Sequence, residues 1–154
     1  MNDPMNALKD RITSDMKDAM RAKATARLST IRLLLAAIKQ REIDERTTLT
    51  DADVIAVIDK MVKQRKDSIT QFEAGNRADL ADAERAELAV LQAYLPAPLS
   101  DAEIDAAVDA AIAAARSAGA TGPALIGKVM AGLKPTLAGR ADMAAVSARV
   151  KARI

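Results

Sequence analysis

One segment of the chain has the spacing of a nucleotide-binding motif. Residues 122–128 fit the first seven places of a phosphate-binding loop, in which backbone amides and a lysine hold phosphate groups. The eighth place should offer a hydroxyl to magnesium but holds Val129, no predicted strand precedes the segment, and its apolar residues continue at helical spacing. We therefore interpret the segment as a short helix in which Gly127 is a close-packing point, and Lys128 remains free for another use.

A stretch of positive charge lies in the last third of the chain. Residues 128–140 contain Lys128, Lys134 and Arg140 and no acid. Three further cations follow near the end of the chain: Arg149, Lys151 and Arg153. Because lysine and arginine bind nucleic acids mainly through the phosphates, we predict that Lys128, Lys134 and Arg140 form a nucleic-acid-binding site.

A second group of cations lies in the first third. Residues 21–41 contain six lysines or arginines and no acid. Arg32, Lys39 and Arg46 recur every seven residues, which places them along one edge of a helix where they could contact phosphates. The alternative is a solvated helix flank, which is the more common meaning of a charge run.

Two arginines interrupt the apolar faces of predicted helices. At about 100° per residue, Arg27 falls on the apolar face of Ile31, and Arg65 falls on that of Met61. A buried guanidinium needs carboxylate or carbonyl partners, so these arginines could form, with Lys39, a polar network between helices. The same helices could instead offer a docking seam to another protein.

Acidic residues are spaced by fours in one place only. Asp101, Asp105 and Asp109 could form a surface for magnesium or for a basic partner. The favoured explanation is that the first two lie near a helix N-terminus, where the macrodipole stabilises negative charge. We predict no catalytic residue, no metal site and no cofactor.

The missing residue types exclude several kinds of chemistry. The chain has no histidine, cysteine or tryptophan, and Phe72 and Tyr94 are its only aromatic residues. These absences exclude a thiol nucleophile, a Ser-His-acid relay, a disulfide framework and a zinc site of sulfur and imidazole. Two isolated aromatics also disfavour the reading of unpaired RNA bases by stacking.

Net charge and hydropathy place further limits on function. The formal charge of +2 is too near balance for nucleic-acid binding by the overall field, so only local clusters could act. No stretch approaches the roughly 18 apolar residues that span a bilayer, and the first residues lack the apolar run of a signal peptide. We expect a cytoplasmic protein without a membrane partner.

The apolar residues recur at helical spacing almost everywhere, which predicts an all-α fold. Capping-box pairs, Thr50 with Asp53 and Ser100 with Glu103, predict two helix starts. A first helix should open near Asp3 and Pro4. The other predicted helices cover residues 25–46, 50–75, 79–94, 100–119, 123–133 and 142–154, and we expect Asp79 and Asp142 to cap the helices that they begin.

Composition changes near residues 96–99, where two prolines predict an extended break. Beyond them the chain holds five of its six glycines and about half of its alanines. We therefore predict an N-terminal helical domain of about four helices over residues 1–95, a proline-rich linker over 96–99 and a three-helix tail domain over 100–154.

Six short motifs occur in an order and spacing that identify a family. They are RLSTIR at 27–32, AIK at 37–39, KQRKDSI at 63–69, YLP at 94–96, GKVM at 127–130 and GRAD at 139–142. This set closely resembles the YqeY family over nearly the whole chain.

The resemblance implies both a domain plan and a partner. The YqeY family is similar to the C-terminal helical part of GatB, the B subunit of the tRNA-dependent amidotransferase, whose three-helix tail faces tRNA. The resemblance therefore also implies the activity assigned to that family, which is a carbon-nitrogen ligase with glutamine as amido-N-donor. Lys128 and Arg140 match positions in the family motifs, and Lys134 lies between them. The family commonly has glycine after Arg-Ala-Asp, whereas Met143 stands here and would alter the start of the last helix.

The residues of this chain argue against amidotransfer by the chain alone. That reaction needs a glutaminase nucleophile, an ATP site and an ammonia channel, and the chain has neither a cysteine nor a competent phosphate loop. Our leading prediction is a non-catalytic accessory protein that binds tRNA or a tRNA-handling complex. Two alternatives remain: a subunit or activator of glutamine-dependent tRNA amidation, working with amidotransferase proteins, and a protein-interaction module without an RNA role.

Overall fold

The computed structural model describes residues 7–154. Within this range the chain forms seven α-helices and no strand, which confirms the all-α prediction. The helices are α1 (Ala7–Arg21), α2 (Thr25–Glu45), α3 (Asp51–Ala74), α4 (Ala78–Gln92), α5 (Asp101–Ser117), α6 (Pro123–Leu137) and α7 (Met143–Arg153). The helix start expected at Asp3 and Pro4 lies outside the described residues.

Capping boxes begin α3 and α5, as predicted. The Thr50 hydroxyl accepts a hydrogen bond from the Asp53 amide, and the Asp53 carboxylate accepts one from the Thr50 amide at 3.0 Å. Ser100 and Glu103 form the same reciprocal pair at the start of α5. The hydrogen bonds from the Thr50 and Ser100 amides hold the pKa of Asp53 and that of Glu103 below their usual values.

The two predicted aspartate caps differ. Asp142 caps α7, because its carboxylate accepts a hydrogen bond from the Ala144 amide at 3.1 Å. The prediction for Asp79 is wrong, since α4 begins one residue earlier and Arg77 occupies its N-cap. Asn76 already adopts the left-handed conformation, with φ of 57°, so the helix starts directly after it. Asp79 accepts hydrogen bonds from the Arg77 guanidinium instead.

Helix α6 is longer than its sequence predicts, since it passes through Pro135 and ends at Leu137. A proline inside a helix removes one amide donor and crowds the carbonyl four residues earlier. Here it lies in the last turn, where few further backbone hydrogen bonds depend on it. Leu133 and Leu137 on either side are both buried, so apolar packing maintains the helix across the proline.

The chain divides into two compact units at the boundary between Leu95 and Pro96. The first, the N-terminal unit, contains α1 to α4, and α3 and α4 form its most extensive helix pair. All four helices contribute apolar side chains to one cluster. Its fully buried members with the largest side chains are Ile12, Ile31, Leu34, Ile38, Leu49, Ile58 and Leu91.

Tyr94 fastens the end of the N-terminal unit to α1. Its phenol O–H donates to Asp15 Oδ2 at 2.6 Å, and its ring is buried. The Arg27 guanidinium from α2 lies 3.7 Å from the same carboxylate, and the Arg11 guanidinium lies 5.0 Å from the ring centroid. Burial, together with the hydrogen bond to Asp15, raises the pKa of Tyr94 to about 12.

The second unit, the tail unit, begins at Pro96 and contains α5, α6 and α7, each of which contacts the other two. Its core consists of aliphatic and alanine side chains, because no aromatic residue follows Tyr94. The fully or nearly fully buried members are Val108, Ile112, Ala115, Leu125, Val129, Leu133, Leu137, Val146 and Val150. Helices with such short core side chains can pack closely, but they bury little apolar volume.

Removal of the α3 cap should destabilise the protein. We expect Thr50→Ala to lower the free energy of unfolding by about 1 kcal/mol, because the Asp53 amide loses its acceptor. Thr48→Ala is the matched control, since Thr48 is exposed in the preceding loop and should change stability by less than about 0.5 kcal/mol. Urea unfolding followed by circular dichroism measures both, and equal stabilities would contradict the capping role.

The single tyrosine allows its pKa to be measured directly. Because the chain has no tryptophan, ultraviolet absorbance at high pH reports Tyr94 alone. We expect a native midpoint near 12, against about 10 in denaturant. Asp15→Asn should lower the native midpoint, because the ionised phenol then no longer faces a carboxylate. A native midpoint near 10 would contradict the buried hydrogen bond.

The raised pKa of Tyr94 also makes the stability of the fold depend on pH. Since the folded pKa of Tyr94 is raised, its contribution to stability is fully present below pH 10. That contribution is lost as the pH rises from 10 towards 12.

Candidate nucleic-acid interface

The exposed side of α6 carries two of the three predicted nucleic-acid-binding residues. Lys128 and Lys134 are both exposed, and neither forms an ion pair within residues 7–154. Six residues of helix separate them by about 9 Å along the axis. The exposed positions between and beside them carry small side chains or proline: Ala124, Gly127, Ala131, Gly132 and Pro135. Pro123 and Thr136, near the two ends of α6, are also exposed.

Gly127 lies in this exposed surface, so its interpretation as a close-packing point is wrong. A Cβ atom built at Gly127 or at Gly132 would meet no described atom within 4 Å apart from its chain neighbours and the nearby backbone of its own helix. The buried side of α6 consists instead of four aliphatic residues: Leu125, Val129, Leu133 and Leu137. The bare surface therefore leaves the helix backbone open to an approaching molecule, with a lysine on each flank. As the missing hydroxyl at Val129 predicted, the segment is a helix start and not a phosphate loop.

Two arginines of α7 are already neutralised by α5. Arg149 contacts Asp105 at 2.7 Å and Asp101 at 2.9 Å. Arg153 holds Asp109 through two hydrogen bonds, which keep the pKa of that carboxyl below its usual value. The three aspartates are therefore an ion-pairing edge, and the helix dipole accounts for Asp101 alone, because only Asp101 lies in the first turn.

Arg140, the third predicted RNA contact, holds the proline-rich segment in place. Its guanidinium Nε donates to the Ala97 carbonyl at 3.1 Å, and its own carbonyl accepts from the Leu99 amide at 3.0 Å. Residues 96–99, which we predicted to be a linker, are thus hydrogen-bonded to the turn after α6. One donor of Arg140 is committed to this contact, whereas Lys128 and Lys134 form no ion pair within residues 7–154.

The three residues predicted as an interhelix or docking network each engage different acids and share none. Arg27 pairs with Asp15 of α1 and remains half exposed. Arg65 is more deeply placed, with its Nε 3.1 Å from Glu87 and 3.8 Å from Glu84, both on α4. Lys39 is exposed and acts on α2 itself, where its charge helps to lower the pKa of Glu42.

Sequence reasoning missed the contact that fixes the end of α2. Glu42 accepts from Lys9 Nζ at 2.7 Å and from the Leu49 amide at 3.0 Å, and these two hydrogen bonds lower its pKa. It thereby joins α1, α2 and the loop before α3. Lys9 and Glu42 are 33 positions apart, and no local pattern marks either residue.

The described residues contain no group of three acidic side chains arranged as metal ligands. Across residues 7–154, no helix is both long and apolar enough to cross a membrane. Every buried side-chain nitrogen or oxygen in that range has a hydrogen-bond partner.

Comparison with known proteins gives one family match. The family model described as Yqey-like protein matches residues 9–154. A relative in Vanderwaltozyma polyspora, named altered inheritance of mitochondria protein 41, mitochondrial, is 41% identical over 85 residues, which cover 54% of this chain and 46% of the relative. The protein of the same name in Eremothecium gossypii is 40% identical over 94 residues, which cover 60% of this chain and 51% of that relative.

A third relative covers more of its own length. An uncharacterized protein of Schizosaccharomyces pombe is 31% identical over 90 residues, which are 58% of this chain and 73% of that protein. The chain spans about half the length of the first two relatives.

Loss of the Arg140 side chain should loosen residues 96–99. We expect Arg140→Ala to lower the stability of the tail unit by about 1 kcal/mol, and to speed hydrogen exchange of the Leu99 amide, because the Ala97 carbonyl loses its donor. Lys134→Ala removes a nearby charge that makes no such contact and should leave this exchange unchanged. An unchanged Leu99 amide in Arg140→Ala would refute the positioning role.

Proposed function

The chain belongs to the Yqey-like protein family, and from this premise we propose that it is a non-catalytic accessory protein whose tail unit binds structured tRNA. The observation that carries the proposal is the exposed side of α6. It combines two lysines that form no ion pair within residues 7–154 with a helix surface of glycine, alanine and proline. We name this surface, comprising Ala124, Gly127, Lys128, Ala131, Gly132, Lys134 and Pro135, the α6 surface.

The chemistry of the α6 surface suits a folded nucleic-acid backbone. Lysines on flexible stems bind phosphates as point charges, without a demand for one geometry. The absence of bulky side chains between them lets a phosphate chain approach the helix closely. Because the tail unit has no aromatic residue on which unpaired bases could stack, recognition would proceed by shape and phosphate contact.

The proposal assigns no catalytic step to this chain. Amide transfer from glutamine requires a nucleophile and an activated acyl acceptor. The chain contains no cysteine and no histidine. The carboxylates of the tail unit that line up along α5 are engaged by Arg149 and Arg153.

A second candidate follows from the resemblance of the family to the tail of GatB. In that version the chain is a subunit or activator of glutamine-dependent tRNA amidation, and the α6 surface presents tRNA to amidotransferase proteins. The discriminating experiment adds the purified chain to a tRNA amidation assay. A changed amidation rate, together with recovery of amidotransferase subunits in a pull-down, favours this version. If the chain changes no rate and recovers no subunit, simple tRNA binding is favoured instead.

The cellular location of the chain stays a prediction. Its sequence leads us to expect a cytoplasmic protein, while the names of the fungal relatives place those proteins in mitochondria. We propose that the chain works in the compartment where its tRNA partner is used. Fluorescent tagging with a mitochondrial marker decides between the two locations.

Removal of the two lysines should weaken tRNA binding. We expect Lys128→Ala combined with Lys134→Ala to lower affinity for bulk tRNA about tenfold in low salt, and to reduce the slope of log affinity against log salt by about 2. Filter binding across a salt series measures both quantities. Circular dichroism should remain unchanged, because both side chains are exposed.

The matched control removes the same charge from the N-terminal unit. Lys60 and Lys66 are exposed on α3 and form no ion pair within the described range, so Lys60→Ala with Lys66→Ala should leave affinity nearly unchanged. If both double variants lose the same amount of tRNA affinity, the effect comes from net charge and not from the α6 surface. No tRNA binding, or binding without salt dependence, would refute the proposal.

A further inference from the structure

Helix α2 presents a second ordered surface, on the side away from its core residues. The core side carries Thr30, Ile31, Leu34 and Ile38, all buried. On the outer side, positions three, four or seven apart are exposed and form one continuous strip: Thr25, Ser29, Arg32, Leu33, Ala36, Lys39 and Ile43. We call this strip the α2 strip.

The α2 strip carries two large apolar residues on a solvent-facing side. Leu33 is 46% exposed and Ile43 is 59% exposed, and they are two of the four large apolar residues that stand out from the described surface. A helix that serves only its own core normally has polar residues on its outer side. Exposed aliphatic side chains that share a strip with regularly spaced cations indicate a docking surface.

An open groove lies at the N-terminal half of the strip. It has a volume of about 330 Å³, and Thr25, Leu28, Ser29, Arg32 and Leu33 line it. Leu28 and Leu33 thus form an apolar floor, while the Arg32 guanidinium and the Ser29 hydroxyl offer hydrogen-bond donors beside it. An occupant would match this lining with an aliphatic side chain flanked by a carboxylate.

The charges around the groove favour an acidic occupant. Arg32 and Lys39 lie on the strip, and neither forms an ion pair in the described part of the chain. The neighbouring arginines are satisfied internally, since Arg27 pairs with Asp15 and Arg41 with Glu45. The first turn of α2 also contains no acid, so its macrodipole adds positive potential at the same end.

We propose that the α2 strip is a docking site for an acidic amphipathic helix of a partner protein. A leucine or isoleucine of that helix sits between Leu28 and Leu33. Glutamates or aspartates one turn to either side contact Arg32 and Lys39. The spacing of the strip at three, four and seven residues matches helix-in-groove recognition, which reads anchors on successive turns.

Other occupants fit the strip less well. A nucleic-acid backbone would leave both groove leucines without a partner, and among residues 7–154 Arg32 is the only cation that lines the groove. A membrane surface calls for a long apolar side of large residues, whereas Leu33 and Ile43 are ten positions apart. Gln40 and Asp44, which form a hydrogen bond on the same stretch, interrupt the apolar character between and beyond them.

The proposal is tested by selecting peptides that bind the intact chain. A phage-displayed library of 14-residue amphipathic helices, with leucine anchors and randomised flanking positions, is panned against the wild-type protein and against Arg32→Glu. We expect the wild type to enrich Asp and Glu beside the anchors, and Arg32→Glu to lose this preference. Enrichment of basic or uncharged flanks, or no enrichment at all, overturns the proposal.

One enriched peptide is then measured by fluorescence anisotropy. Arg32→Glu should weaken its binding about tenfold through charge reversal, and Leu33→Ala should weaken it about fivefold through lost apolar contact. Lys66→Glu reverses an exposed charge on α3 and should leave affinity unchanged. Amide resonance shifts should map to residues 25–43, and shifts confined elsewhere contradict the site.

Four further measurements separate the competing occupants. Arg32→Glu should leave tRNA affinity within twofold of wild type, while the Lys128 and Lys134 substitutions should leave peptide affinity unchanged. Vesicles of phosphatidylglycerol should not compete with the peptide, and sedimentation should show the same self-association for wild type and Leu33→Ala. If Arg32→Glu weakens tRNA binding, if the vesicles displace the peptide, or if Leu33→Ala changes self-association, the proposal is overturned in favour of the corresponding occupant.

Discussion

A low supply of large apolar side chains is the constraint on which the rest of this structure depends. Alanine is the most abundant residue, and the tail unit has no aromatic residue to fill its core. Short side chains bury little area, and therefore contribute little hydrophobic stabilisation for each contact. Polar contacts at helix ends and seams accordingly fix the arrangement: capping boxes begin α3 and α5, Tyr94 binds Asp15, and Arg140 holds Ala97.

This reliance on polar contacts decides which charges remain available for function. Arg149 and Arg153 count as positive charges in the sequence, but both form ion pairs with aspartates of α5. Arg65 is engaged by Glu87 in the same manner. Lys128, Lys134, Arg32 and Lys39 keep their charge without an ion pair within residues 7–154, and they fall on two separate helices. The α6 surface offers charge beside bare backbone, whereas the α2 strip offers charge beside leucine. The two surfaces therefore suit ligands of different chemistry.

Several elements were predictable because their signals are local. Helical spacing, Thr50 with Asp53 and Ser100 with Glu103 each act within one or two turns, so the all-α class and two helix starts follow from neighbouring residues. The end of α6 was not predictable in this way. Pro135 is a local signal to stop, and the burial of Leu137 in the tail core overrides it. The start of α4 shifted because Asn76 turns the chain three residues before the expected cap Asp79, which makes Arg77 the N-cap.

The amino-acid sequence by itself determined the helical class, the absence of thiol and imidazole chemistry, and the resemblance to a family, since these depend on composition and on short ordered motifs. Only the tertiary structure decided which cations are paired, that Gly127 faces solvent, and that Arg140 positions residues 96–99. The physical reason is distance along the chain. Arg149 and Asp105 meet across 44 positions, as Lys9 and Glu42 meet across 33, and no local pattern encodes which distant carboxylate will neutralise a given cation.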